Sequence, residues 1–312
     1  MGIMHGINMV TDGLVFYIDS ANRSCIAPSK RTNPLTDDGV KDLMQNISPI
    51  NVDNSTDAPG TSYTPYWAST NLDSDITFYS NGRGSSGDYD YGFLDLGTPV
   101  DGVTKFGLTD CYTVDIWWRQ LAIDSDYIYQ QGHILGHRDV ITEYASMSNR
   151  VYVYGSFNIE FQGNISGTDS YYFVWNCGQK SFSSGTNNFN SYYANSFSTT
   201  ALTDGGDFPW RHHCCVFDLG DSLGSGSKIY TYTNGSLKNS ASVTTDGSAT
   251  WKTNTTNGGN IYIGASDRNG TDETIKKNGA RGDMGPFKIY NRALTAAEVN
   301  QNFVAVKWRY GL

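Results

Sequence analysis

Glutamate is scarce in this sequence. Only four of its 31 acidic residues are Glu (Glu143, Glu160, Glu273 and Glu298), and charged residues of all kinds amount to 17%, where about a quarter is usual. Long surface helices and coiled coils are built from Glu, Lys and Leu repeats, so neither is expected. No apolar run approaches the ~18 residues of a membrane-crossing helix. No Lys/Arg cluster interrupts a net charge of -9, which argues against the basic face that a nucleic-acid partner requires. Met1 to Val10 (MGIMHGINMV) has neither the basic start nor the continuous apolar centre of a secretion signal. A soluble protein retained in the cytoplasm of its maker is therefore expected. The cysteines are few and scattered (Cys25, Cys111, Cys177, Cys214, Cys215). That is no disulfide framework and contains no C-x-x-C pair.

What the chain has instead is Gly (34), Tyr (21) and Phe (14), with Ser, Thr, Asn and Asp in every segment, the usage of strands joined by tight turns. Strand signals recur at 14–19, 91–96, 112–119, 151–154 with 157–161, 171–175, 212–217, 228–232, 261–264 and 286–290. Asn234-Gly235 sits between two alternating runs as the centre of a two-residue hairpin. Helix is expected only near the end, where Thr295 and Glu298 form a capping box ahead of Val299, Phe303 and Val306. Long polar stretches near 28–86 and 163–207 read as insertions, too long for ordinary turns. These signals predict an all-β, two-sheet antiparallel sandwich with a short C-terminal helix. It would form one domain over 11–312, preceded by an arm (1–10) whose Ile3, Met4, Ile7, Met9 and Val10 offer an apolar tether.

In 112–119, Val114, Ile116 and Trp118 share one face, and Thr113, Asp115, Trp117 and Arg119 the other. The first face suits a core, so Trp118 is expected to be structural, as is Trp210. The second suits a wetter surface, with Trp117 on view. His212-His213-Cys214-Cys215 resembles a metal cluster on paper, but alternation in a strand sends its members to opposite faces two by two. Oxygen donors are plentiful in Asp204, Asp207, Asp218 and Asp221, which are calcium candidates. Aromatics cluster in the insertions as Tyr63, Tyr66 and Trp67, and again as Phe189, Tyr192 and Tyr193. Such rings stack on sugars or anchor protein partners, and pinning a long loop is their other use.

Several segments together resemble a known family. Gly13-Leu14-Val15-Phe16-Tyr17-Ile18-Asp19-Ser20-Ala21-Asn22, Asp42-Leu43 with Asn46, and Tyr112 to Trp118 are the first three. Trp210-Arg211-His212-His213 with Phe217-Asp218, Tyr232-Thr233-Asn234-Gly235, and Tyr290-Asn291-Arg292-Ala293-Leu294-Thr295-Ala296-Ala297-Glu298-Val299 complete the set. In this order they resemble the concanavalin A-like, laminin-G-like jelly-roll domains common in bacteriophage virion proteins. The pattern departs at the two insertions and at Met284-Gly285-Pro286. The resemblance implies a jelly roll whose concave face or loop rim contacts a partner, either a host-surface glycan or a neighbouring virion protein. It also implies multicopy or homo-oligomeric assembly into a particle inside the host cytoplasm.

Enzymes of this fold hydrolyse glycosides with carboxylates from an E-x-D-x-x-E strand. Here Asp115 is the only acid in the Trp-rich strand. A non-enzymatic virion component (tail fibre, receptor-binding or capsid-decorating) is therefore expected, and a cellular lectin-like or hydrolytic carbohydrate module is the alternative. Arg281-Gly282-Asp283 spells an integrin tripeptide, but Gly282 stands where the family has a glycine before a strand, and a turn is expected there.

Overall fold

The computed structural model describes residues 8–31, 35, 39–46, 50–55, 65–70, 73–78, 91–97, 106, 111–121, 131–139, 153–162, 172–176, 209–218, 228–242, 261–265 and 281–312. Among them are fourteen strands: β1 (Leu14–Ile18), β2 (Asn51–Ser55), β3 (Tyr66–Thr70), β4 (Asp73–Phe78), β5 (Tyr91–Asp95), β6 (Cys111–Gln120), β7 (Gln131–Asp139), β8 (Val153–Gln162), β9 (Tyr172–Asn176), β10 (Arg211–Asp218), β11 (Lys228–Thr233), β12 (Ser236–Ser242), β13 (Ile261–Ile263) and β14 (Gly282–Tyr290). A helix, α1 (Ala296–Val306), and a 3-10 turn, Lys307–Tyr310, follow. The larger sheet runs β12-β11-β10-β6-β14-β4-β3, with β1 also on β14, and the smaller runs β2-β5-β13-β7-β8-β9. Every described pairing is antiparallel. The architecture is the expected jelly-roll sandwich.

The stretch read as an insertion at 28–86 supplies β2 to one sheet and β3 and β4 to the other. Its Asn and Asp content and its turn-forming Ser residues hide these strands, because Asn and Asp have weak strand preference and Ser favours turns. β7 is concealed in the same way by its Gly and His residues.

Between the sheets lie Phe16, Ile18, Ile76, Phe78, Leu94, Val114, Ile116, Trp118, Phe217, Ile263, Phe287 and Ile289, all buried. Trp118 stacks on Phe78 with ring centroids 6.2 Å apart, so its structural role stands. Gly282 lies inside β14, buried, where a Cβ would collide with the Trp118 indole. Arg281-Gly282-Asp283 therefore leads into a buried strand; the expectation of a turn is corrected, because close packing on an indole is what requires the glycine.

The departure at Met284-Gly285-Pro286 is a bulge. Met284 faces Trp118 and Phe287 faces Ile116 across the β14–β6 pair, three residues against two. The extra residue keeps Met284 and Phe287 both pointing into the core, which an unbroken alternation would forbid. On its other side β14 pairs β4 through 282–284 and β1 through 287–290. Pro286 falls between those two pairings, where no ladder N–H is needed.

Candidate functional site

The chemistry-bearing residues of the described structure gather on the outer face of the larger sheet, beneath α1 and the 3-10 turn. Central strands β6, β10 and β14 present Asp115, His212 and Lys288 there, and all three are fully buried. Lys288 Nζ donates to Asp115 Oδ1 at 2.8 Å, and His212 Nε2 lies 3.0 Å from Asp115 Oδ2. From α1, Asn302 Nδ2 donates both to Asp115 Oδ2 and to the Tyr290 hydroxyl, each at 3.0 Å. Asn302 Oδ1 accepts from the Val10 N–H at 2.9 Å, and the Tyr290 hydroxyl donates to the Val10 carbonyl at 3.1 Å. Burial alone would raise the Asp115 pKa, but Lys288 and His212 outweigh it and hold the carboxyl well below its usual range. Burial and the Asp115 charge push the Tyr290 phenol up. The cluster is a charged rivet that fastens α1 and the start of the chain to the sheet.

Trp117 corrects the sequence reading. It was expected on view and is instead fully buried, stacked on Tyr310 (4.5 Å between centroids) and on Phe303 (5.8 Å). Alternation assigns it correctly to the outer face. What it cannot supply is the cover, which arrives from residues 303–310, nearly two hundred positions later. Trp210 joins the same cluster, 4.3 Å from Tyr310. The Arg119 guanidinium lies 5.3 Å over the Trp210 ring and pairs with Asp283, which also accepts from Thr77 Oγ1 at 2.7 Å. The Nε1 atoms of Trp117 and Trp210 are buried and have no hydrogen-bond partner among the described residues.

The remaining candidates separate. Trp67, on β3, is half-buried against the main core, with the Arg31 guanidinium 5.0 Å over its ring. Tyr66 lies on β3, opposite Thr77. Tyr63, Phe189, Tyr192 and Tyr193 lie outside the described residues, as do Asp204, Asp207 and Asp221. Asp218 is exposed at the end of β10, 3.6 Å from the Cys111 thiol. Among the described residues no three His, Cys, Asp or Glu side chains converge as a metal cluster would. In the HHCC run, Cys214 and Cys215 join different clusters on opposite faces, as alternation predicts. His213 is buried, its pKa driven well below the usual imidazole range, chiefly by burial. One surface aromatic escaped sequence reasoning: Trp308 is 68% exposed, because the 3-10 turn rotates it away from the sheet. No helix among the described residues is long and apolar enough to cross a membrane.

The Laminin_G_3 family, described as the concanavalin A-like lectin/glucanases superfamily, matches residues 143–300, about half of the chain. The chain belongs to this family. No curated protein matches this laminin-G-like chain. Among solved structures it is similar to domain 4 of AbnA, a GH43 extracellular arabinanase from Geobacillus stearothermophilus solved with arabinotriose, at 13% identity and TM-score 0.44, covering 93% of this chain and 97% of that one. It is also similar to the botulinum neurotoxin type G receptor-binding domain (10%, TM-score 0.42, 94% and 51%) and to Trypanosoma rangeli sialidase (10%, TM-score 0.49, 96% and 34%). These likenesses are distant, and the laminin-G-like assignment rests on the family match.

Proposed function

We propose that this chain is a non-catalytic recognition module of a bacteriophage particle, a tail-fibre, receptor-binding or capsid-decorating component that binds a host-surface glycan. The observation that carries the non-catalytic reading is the state of Asp115. Glycoside hydrolysis needs one carboxyl poised to give a proton and another free to attack or to activate water. Asp115, the acid of the Trp-rich strand, is fully buried, ion-paired to Lys288 and held ionised. It can neither give a proton near neutral pH nor reach a substrate. The virion setting is supported by the ordered motifs from Gly13 to Val299, which resemble those of virion modules. Assembly in the host cytoplasm and display in several copies go with it, since repetition raises the avidity of weak single sites.

The test is retention of the purified chain on immobilised host-surface polysaccharide, with reducing ends assayed in the same samples. Retention without new reducing ends is expected, and steady release of reducing ends would overturn the non-catalytic reading. Gold-labelled antibody on intact particles should mark a repeated position. Unlabelled particles would remove the virion setting.

A further inference from the structure

We propose that the gap between the Trp117 and Trp210 indoles is a pyranose-binding slot which the chain's own Tyr310 occupies in this structure. The proposal deepens the glycan-recognition reading and rests on it. Tyr310 lies against both indoles, with centroids 4.5 and 4.3 Å away, so a single ring meets both. Gly285 forms the floor of the gap, and a Cβ there would collide with the Tyr310 hydroxyl. The bulge in β14 thus leaves room that an ordinary strand residue would close.

A phenol satisfies this space only in part. Its faces match the indoles, yet both buried Nε1 groups are left without an acceptor among the described residues, an uncommon state for buried donors. A pyranose carries C–H-rich faces for the indoles and an equator of hydroxyls for the N–H groups. The Arg119 guanidinium beside the Trp210 ring is already engaged by Asp283, so the indole N–H groups are the donors that a sugar would find unpaired. The present occupant, Tyr310, is carried by a short turn and not by a strand. It sits on one turn of 3-10 helix that ends in Gly311 with left-handed backbone (φ 70), and Arg309 holds that turn through a 3.0 Å pair with Asp19. Withdrawal of Lys307–Tyr310 would open the slot without disturbing a strand. Any sugar must compete with Tyr310, so apparent affinity is lowered by the fraction of time the slot is closed.

The experiment titrates the full chain, followed by tryptophan fluorescence, with the methyl pyranosides of glucose, galactose, mannose and N-acetylglucosamine, and with 4-methylphenol, the Tyr310 side chain in free form. Tyr310→Ala should bind at least one pyranoside tenfold or more tightly than the unsubstituted chain. Adding Trp210→Leu should erase that gain. Arg309→Ala keeps Tyr310 but loosens its turn; it should show a smaller gain and decides the matter if Tyr310→Ala fails to fold. Binding of 4-methylphenol without any pyranoside would overturn the sugar assignment, and unchanged pyranoside affinity in both variants would overturn the slot. If the unsubstituted chain still held host polysaccharide in that case, the recognition reading would stand and its site would lie elsewhere. Loss of both would remove the two together.

Discussion

Asp115, Lys288 and His213 show what burial does to a charge in this protein. Lys288 and Asp115 are an ion pair without solvent contact, so removing Asp115 leaves a buried cation without its counter-charge, and removing Lys288 leaves Asp115 with only its His212 and Asn302 contacts. Asp115→Asn or Lys288→Met should each cost about 3–5 kcal/mol, and the double variant less than the sum. Urea unfolding of the four proteins measures this, and additive losses would show that the pair is not coupled. His213 acts on a different pH range. Its folded pKa is depressed from the ordinary 6.5, so the unfolded chain binds a proton that the folded chain refuses. Stability should therefore be full above pH ~6.5 and fall below it, by up to about 1.4 kcal/mol per pH unit for this one group. Asp115 is also depressed, but from 3.8, so its contribution is lost only below about pH 4. Melting temperatures from pH 8 to 4 should show the first fall, and His213→Gln, if it folds, should flatten it. Neither group's burial was legible beforehand. Alternation gives a side chain its face but not the neighbour that will cover that face.

Helix α1 was the most legible element. Thr295 accepts from the Glu298 N–H while Glu298 takes the Thr295 N–H, the reciprocal box read in the sequence. Arg292 grips the same Glu298 at 2.6 and 3.1 Å, and with burial opposing, these bonds lower its pKa to about 2. Thr295→Ala should cost about 1 kcal/mol, measurable by thermal unfolding; no loss would mean that Arg292 alone fixes the helix start. The β11–β12 hairpin was equally plain: Asn234 and Gly235 both have positive φ (49 and 72), as a type I′ turn requires. β2, β3, β4 and β7 were obscure because their few strand-forming residues are interspersed with Asn, Asp, Ser, Gly and His, and pairing with β5, β14 and β13 settles them as strands. Gly282→Ala tests the reverse dependence, a strand position fixed by its neighbour's bulk. The Trp118 indole would have to move, at a cost of about 1–3 kcal/mol, and a variant of native stability would show that the core yields there.

Across the whole molecule, the two ends of the chain are part of one structure. Residues 1–10 were read as an arm offering an apolar tether, and Met1 to Ile7 lie outside the described residues. Val10, however, is buried and gives both its N–H and its carbonyl to the cluster under α1, while Gln301 donates to the Asn8 carbonyl at 2.6 Å. Deleting residues 1–10 would leave the Asn302 oxygen buried and unsatisfied, a loss of about 1–3 kcal/mol. It should lower the melting temperature by several degrees; an unaltered melt would show that the Val10 contacts add nothing to stability.

The pairing of β1 with β14 joins Leu14 to Tyr290, and this sets a clock on the ribosome. At about 5–20 residues per second, β1 waits roughly 15–55 s for its partner to be made. During that interval Phe16 and Ile18, which end up fully buried, have no β14 to rest on. Nascent chains stalled before Gly282 should therefore be protease-sensitive and recruit holding chaperones, whereas chains released after α1 should not. Folding of this sandwich is in that sense a late event, since β1 finds its partner only after β14 has left the exit tunnel.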